Sequence, residues 1–217
     1  MTDPAVTALD GASEPGTKDQ ILSVALRHFA ADGFAGTSLN AIADDVGIRR
    51  PSLLHHFHSK DELYRAVVLD SFGTWFDLVA EATAEVQEGW PQVERVLRAA
   101  FQFFEDNPDF VRVARREALE GGPILAEELG AALRPLFDKA CGWLAAEMRA
   151  GRLREYDPAQ LMLTGYGAVL SYLSDAALIT ALLGHDPLSD GALAVRREHV
   201  LTVLRNALEP VTPGPRD

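Results

Sequence analysis

The sequence predicts an all-α protein, and three observations carry that expectation. In nearly every segment apolar residues recur at the i, i+3, i+4, i+7 spacing that lines one face of a helix. Helix start and stop signals (Ser, Asp or Asn before a periodic run, Gly or Pro after it) separate those segments at short intervals. No stretch shows the strict alternation of a half-buried strand. Thr17-Lys18-Asp19-Gln20 has the pattern of a capping box, and Ile21, Val24, Ala25, His28 and Phe29 follow on one face until Asp32-Gly33 stops the helix. Ser38 to Asp45 forms the second helix, Gly47 lies in a turn, and the third helix runs to about Phe57. Ser59-Lys60-Asp61-Glu62 is a second capping box, opening a fourth helix through Leu63, Val67, Phe72, Trp75, Phe76 and Val79 to about Glu88.

Further along, Pro91 opens a helix through Phe101, Phe103 and Phe104, and Asn107-Pro108 opens another with proline at its favoured first position. Gly121-Gly122-Pro123 breaks that helix. Residues 124–150 predict a longer stretch interrupted at Arg134-Pro135, because the residue before proline avoids helical geometry, and Gly151 ends it. A long apolar helix runs from Asp157-Pro158 to Leu183 and Gly184 closes it, and the last helix starts at Ser189 or Asp190 and ends near Pro210. About nine helices result, in an N-terminal three-helix unit (17–72, its two-helix motif at 38–57) followed by a larger helical body (73–210). Residues 1–16, rich in small residues and without periodicity, predict a disordered arm, and 211–217 a flexible tail.

The stretch from Phe34 to Lys60 carries the chemistry. Leu39, Ile42, Val46, Ile48, Leu53 and Phe57 are the inward positions of two short helices, and Gly47 takes the positive φ that a sharp turn requires. Leu53 and Phe57 share a face of the third helix; the opposite face holds Pro51 and His55, flanked by Ser52 and Leu54. Proline is tolerated only in a first turn, so this helix is short and its N-terminal end leads. Arg49 and Arg50 sit at that end, where cations oppose the helix dipole by about 0.3–1 kcal/mol each. Two of them there make sense with an anion in front, and a helix-turn-helix places such an end against DNA. His55, His56, His58 and Asp61 do not form a metal site, since His55 and His56 point to different sides of one helix and no HExxH is present.

The residues Ile21-Leu22, Ala25, Phe29, Gly33-Phe34, Thr37, Ile42-Ala43, Val46-Gly47-Ile48, Ser52-Leu53, Phe57 and Ser59 to Leu63 resemble the DNA-binding domain of the TetR family of bacterial transcriptional regulators. The likeness covers Thr17 to about Ser71 closely; the rest matches in architecture only. It implies phosphate contacts from Thr37, Ser52 and Lys60, and base or near-base contacts from Arg49, Arg50 and the exposed face of the third helix. The complete set of DNA-facing candidates is Thr37, Ser38, Arg49, Arg50, Pro51, Ser52, Leu54, His55, His56 and Lys60. Leu54 departs from the tyrosine that many members carry, and Pro51 from a small residue with a backbone donor. The family implies a sequence-specific regulator, a repressor released from a palindromic operator when a small molecule binds the body.

A formal charge of −12 sits awkwardly with DNA, whose affinity for proteins is dominated by Lys and Arg on phosphate. The charge is unevenly placed, however. Residues 17–72 hold six basic against seven acidic side chains, residues 73–217 fourteen against twenty-two, and Val46 to Lys60 contains no carboxylate at all. No run of about 20 apolar residues predicts a membrane span, no export leader is evident at Met1–Gly16, and the one cysteine, Cys141, fits a reducing compartment, so the protein is expected in the cytoplasm. GxSxG, P-loop and GxGxxG motifs are absent and Cys141 lies mid-helix among small residues, so neither an enzyme nor a bound cofactor is expected. A helical sensor without DNA binding is the competing non-enzymatic reading.

Aromatics cluster in the body, and the family places an inducer cavity there. The expected pocket is Phe72, Trp75, Phe76, Phe101, Phe104, Phe110, Arg112, Arg115, Trp143 and Tyr166, for an apolar or amphipathic effector. Arg112, Arg115 and Arg116 share a helix face and are expected to pair with Glu117 and Glu120 in solvent; an arginine turned inward would favour an anion. Apolar residues on several sides of the last two helices predict a homodimer closed as a four-helix bundle. Leu170, Leu173, Leu178, Leu182, Val200, Val203 and Leu204 are its expected interface.

Overall fold

A computed structural model describes residues 16–85, 87–120 and 130–210. The expected arm, the expected tail and the break at Gly121-Gly122-Pro123 fall outside them. The described chain is helical, without strands, in the order α1 (Thr17–Gly36), α2 (Leu39–Val46), α3 (Arg50–His56), α4 (Lys60–Ala82), α5 (Trp90–Asp106), α6 (Pro108–Glu120), α7 (Gly130–Arg149), α8 (Pro158–Ser174), α9 (Ala176–Leu183) and α10 (Asp190–Leu208).

Two apolar cores organise these helices. The first gathers Ile21, Ala25 and Phe29 of α1, Ile42 of α2, Leu53 of α3, Leu63 and Val67 of α4, then Phe103, Phe110 and Val113 from α5 and α6. The second unites Trp90 and Phe101 of α5 with Leu144 and Met148 of α7, Val169 of α8 and Val200, Leu201, Leu204 and Leu208 of α10. Helix α4 therefore packs in the first core on α1 as well as on α5 and α6, and α6 packs on both α1 and α4. Outside these cores, the buried Glu147 carboxylate of α7 accepts bonds from Arg152 Nε and Nη2 (both 2.7 Å) and from the Gly89 N–H (2.8 Å). That three-way grip ties the end of α7 to the start of α5, and Arg152 holds the Glu147 carboxyl below the usual carboxylate range despite its burial.

Several boundaries differ from expectation. The capping box at Thr17 does not form: Gly16 is the N-cap, without a side-chain bond, and Thr17 is already helical. At Ser59 the cap forms, its hydroxyl accepting from Glu62 N–H at 3.0 Å, but the Glu62 carboxylate returns to His58 N–H (2.8 Å) rather than to Ser59. Helix α4 stops at Ala82, not Glu88. Pro135 lies inside α7 rather than interrupting it; Leu133, two residues earlier, packs on the first core and holds that turn in place. The long apolar helix is two, α8 and α9, bent by 78°. Asp175 at the bend is non-helical and accepts from the Ser174 hydroxyl at 2.8 Å, a local bond that competes with the helix ladder. No single helix among the described residues is long and apolar enough to cross a membrane.

Candidate nucleic-acid interface

The turn between α2 and α3 is set by Gly47, at φ 79° and ψ 24°, whose N–H reaches Ala43 and Asp44 carbonyls while Ile48 N–H also bonds Ala43 O at 2.9 Å. A Cβ there would meet nothing within 4 Å, so glycine serves the backbone conformation and not a close contact. Arg49 then caps α3 in extended geometry, its carbonyl accepting from Ser52 N–H (2.8 Å), and Pro51 sits in the first turn as expected. Leu53 is 0% exposed and Phe57 is buried; they pin this seven-residue helix to the core. The other face is outward: Arg49, Arg50, Pro51, Ser52, His55 and His56 are exposed and Leu54 is half-buried. The rings of His55 and His56 stand 5.9 Å apart, edge to face. The result is an exposed helix end bearing two guanidiniums, a hydroxyl and two imidazoles, with no carboxylate in α3.

Two expected phosphate contacts take different roles. Thr37 is buried, and its hydroxyl donates to Gly33 O (2.7 Å) and His28 O (3.1 Å), so its proton is committed to the α1–α2 link. Lys60 turns its ammonium inward onto Thr37 O (2.9 Å) and Ala35 O (3.4 Å), and over the Phe34 ring at 4.6 Å. It clamps the same link. Ser38 is exposed and caps α2, accepting from Asn40 N–H at 3.2 Å, which leaves its own proton for a phosphate. His28 of α1 bonds Asp45 of α2 at 2.8 Å. Neither this bridge nor the Lys60 clamp was foreseen, since both join residues 17 or more apart that no local spacing relates.

The expected effector pocket is divided. Trp75 lies 5.2 Å from both Phe103 and Phe104, and Phe110 packs 4.8 Å from Phe72 and 5.4 Å from Phe103, so these rings fill the space between α4, α5 and α6 with one another. Phe76 joins them at 6.5 Å from Phe72. Phe101 and Trp143 belong to the second core. Arg112 is exposed and paired with Asp109 at 3.0 Å, not with Glu117 or Glu120. Arg115 is half-buried and within electrostatic reach of the half-exposed Tyr166. Clefts of about 420 and 300 Å³ lie elsewhere, the first lined by Met148, Arg149, Tyr156 and Pro158, the second between α1 and α4 by Asp19, Leu26, Asp70 and Thr74. Burial pushes the Cys141 thiol up, in keeping with an unreactive side chain.

The expected dimer face is also redrawn. Leu170, Val200 and Leu204 are buried inside the monomer and Leu173 packs against the second core, because α8 and α10 both pack on α5. Leu178, Leu182 and Val203 remain exposed, and Leu163, Leu183 and Val195 join them; Leu182 is 74% and Val195 72% accessible.

Residues 21–67 match the family described as bacterial regulatory proteins, tetR family, and residues 91–204 match the tetracyclin repressor-like C-terminal domain. The protein belongs to the TetR family. It is 30% identical over 167 residues to the HTH-type transcriptional regulator RutR of Escherichia coli strain K12, covering 77% of this chain and 78% of that protein. It is 38% identical over 84 residues to the transcriptional repressor KstR2 of Rhodococcus jostii, covering 37% and 40% of the two. Among solved structures, the ketosteroid regulator KstR2 of Mycobacterium tuberculosis superimposes with TM-score 0.72 at 17% identity, over 91% of this chain and 97% of that one. The regulator AibR, solved with isovaleryl coenzyme A and operator DNA, does so with TM-score 0.72 at 16% identity, over 87% and 97%. This TetR-family chain is a DNA-binding transcriptional regulator and not an enzyme.

Proposed function

We propose that α3 enters the major groove of a palindromic operator, with Arg49, Arg50, Ser52, His55 and His56 as its contacts, Pro51 and Leu54 as apolar neighbours, and Ser38 on phosphate. The observation that carries this is the exposed, carboxylate-free face of α3 on a protein whose charge is otherwise strongly negative. An acidic body suppresses non-specific attraction to the duplex, so binding depends on the local contacts. In this reading residues 17–72 are the head, 73–210 the body, and Lys60 and Thr37 shape the head from behind. The half-buried Leu54, which has no donor for phosphate, suits a thymine methyl.

A head of this size covers one half-site, and two are presented about 34 Å apart by a dimer. We place the dimer contact on the exposed apolar side of α8, α9 and α10 (Leu163, Leu178, Leu182, Leu183, Val195, Val203), a surface unusual for a monomer. The effector is an apolar or amphipathic small molecule that separates the packed rings of α4, α5 and α6; Arg115 and Tyr166 suit an acidic or polar end. A cytoplasmic location goes with this role. Enrichment from a random DNA pool followed by gel shift at several salt concentrations tests the proposal. It expects a palindrome, bound with a steep salt dependence; a sequence-independent smear would point instead to a helical sensor that does not read DNA.

A further inference from the structure

The head is joined to the body by a contact that the roles above do not use. Tyr64 of α4 is buried, with its ring held edge-on by Phe29 (4.8 Å) and Phe34 (5.1 Å). Its hydroxyl donates to Glu117 Oε1 of α6 at 2.6 Å. Glu117 is only 7% exposed, and its second oxygen, Oε2, has no hydrogen-bond partner among the described residues. Burial and the neighbouring Glu117 push the Tyr64 phenol far above its usual value, so it remains a donor throughout the physiological range. The adjacent Arg116 lies instead against Gly33, at φ 70° the break between α1 and the link to α2; a Cβ there would collide with the Arg116 guanidinium. Phe34 passes this contact on, touching Tyr64 on one side and the Lys60 ammonium on the other.

We propose that Tyr64 and Glu117 form a strained latch that positions the head, held shut by one hydrogen bond and kept ready to open by the unpartnered buried oxygen of Glu117. A carboxylate taken out of water with half its acceptors unmet opposes the closed junction. Losing the phenol would leave it with less still. Opening the junction returns Glu117 to water, so the closed head sits near the point of release and a modest change in the body frees it. The inference rests on the division into head and body proposed above.

The signs of the effects separate this latch from an ordinary stabilising bond. In the ligand-free full chain, amide hydrogen exchange over residues 29–37 and 60–68 reports opening of the junction. Tyr64→Phe leaves the carboxylate without its donor and speeds exchange there about tenfold. Glu117→Met, unbranched and of similar volume, removes the buried charge and slows exchange at the same amides by a comparable factor. The double variant follows Glu117→Met, because no carboxylate remains to be served. If Glu117→Met fails to fold, Glu117→Gln carries the test; it keeps an acceptor for Tyr64 without the charge and also slows exchange. Faster exchange in the Glu117 variants, or additive losses in the double variant, overturns the proposal. Exchange does not require DNA, so absence of operator binding with the sign pattern intact would count against the proposed function and not against the latch.

Discussion

Head and body solve opposite problems. In the head, α1 to α4 bury their apolar faces in one core and leave outward the residues that suit DNA: Leu53 goes in, Arg50 and His55 come out. In the body, apolar residues lie both inside and outside. Leu170 and Val200 fill the core while Leu182, on α9, and Val195, on the same helix as Val200, stay exposed. A polar partner is recognised by what a helix exposes. An apolar partner, whether a second copy or an effector, uses the same side chains as the core. The charge pattern therefore marks the head, whereas nothing in the pattern separates the body's core from its contacts.

Four changes break or sharpen this contrast. The largest effect is expected for Leu53→Ala: a cavity beneath α3 costs about 2–5 kcal/mol and abolishes operator binding, while sedimentation still shows the intact dimer. Loss of both would mean that head and body do not divide as described. Next, Glu147→Ala leaves the buried Gly89 N–H and the more exposed Arg152 without their acceptor and costs about 1–3 kcal/mol in denaturant titrations. Because Arg152 lowers the Glu147 pKa, that stabilisation is complete above the ordinary carboxylate range near pH 4.3 and is lost as pH falls through the lower folded value. The gap between the two proteins should hence close on acidification, and a gap that widens would refute the ion pair's role.

Arg50→Ala should cost about 1–3 kcal/mol of operator affinity and relax base preference at its position, as measured by competition among half-site variants. Equal losses on all sequences would reduce Arg50 to a phosphate contact. The smallest effect is expected for Ser59→Ala, which removes the cap on α4 and costs about 1 kcal/mol in thermal unfolding. A change within experimental error there would show that the returning Glu62–His58 bond holds the helix start unaided.

How far the sequence disclosed this arrangement depends on the range of the interactions involved. Caps, turns and faces are local, so Gly47, Pro51, Ser59 and the outward set on α3 were legible from spacing. The hydrogen bonds of Thr37 and Lys60 are not legible in that way, because their partners, the carbonyls of Gly33, His28, Ala35 and Thr37 itself, are set by how α1, α2 and α4 meet. The bend between α8 and α9 had a signal, the polar Ser174-Asp175 pair within an apolar run. The space between α4, α5 and α6 is hard to read from sequence for another reason. A ring-lined cavity and a ring-packed core have the same composition, and Trp75, Phe103, Phe104 and Phe110 close on one another.

The central claim, that α3 lies in the major groove, is tested most directly by tethered cleavage. A chelated iron attached at His55→Cys in a Cys141→Ala background, bound to the DNA enriched from a random pool, should cut in the major groove at two positions about one helical turn apart. Cutting no different from that of the same probe at Glu155, on the exposed surface of the body, would contradict it.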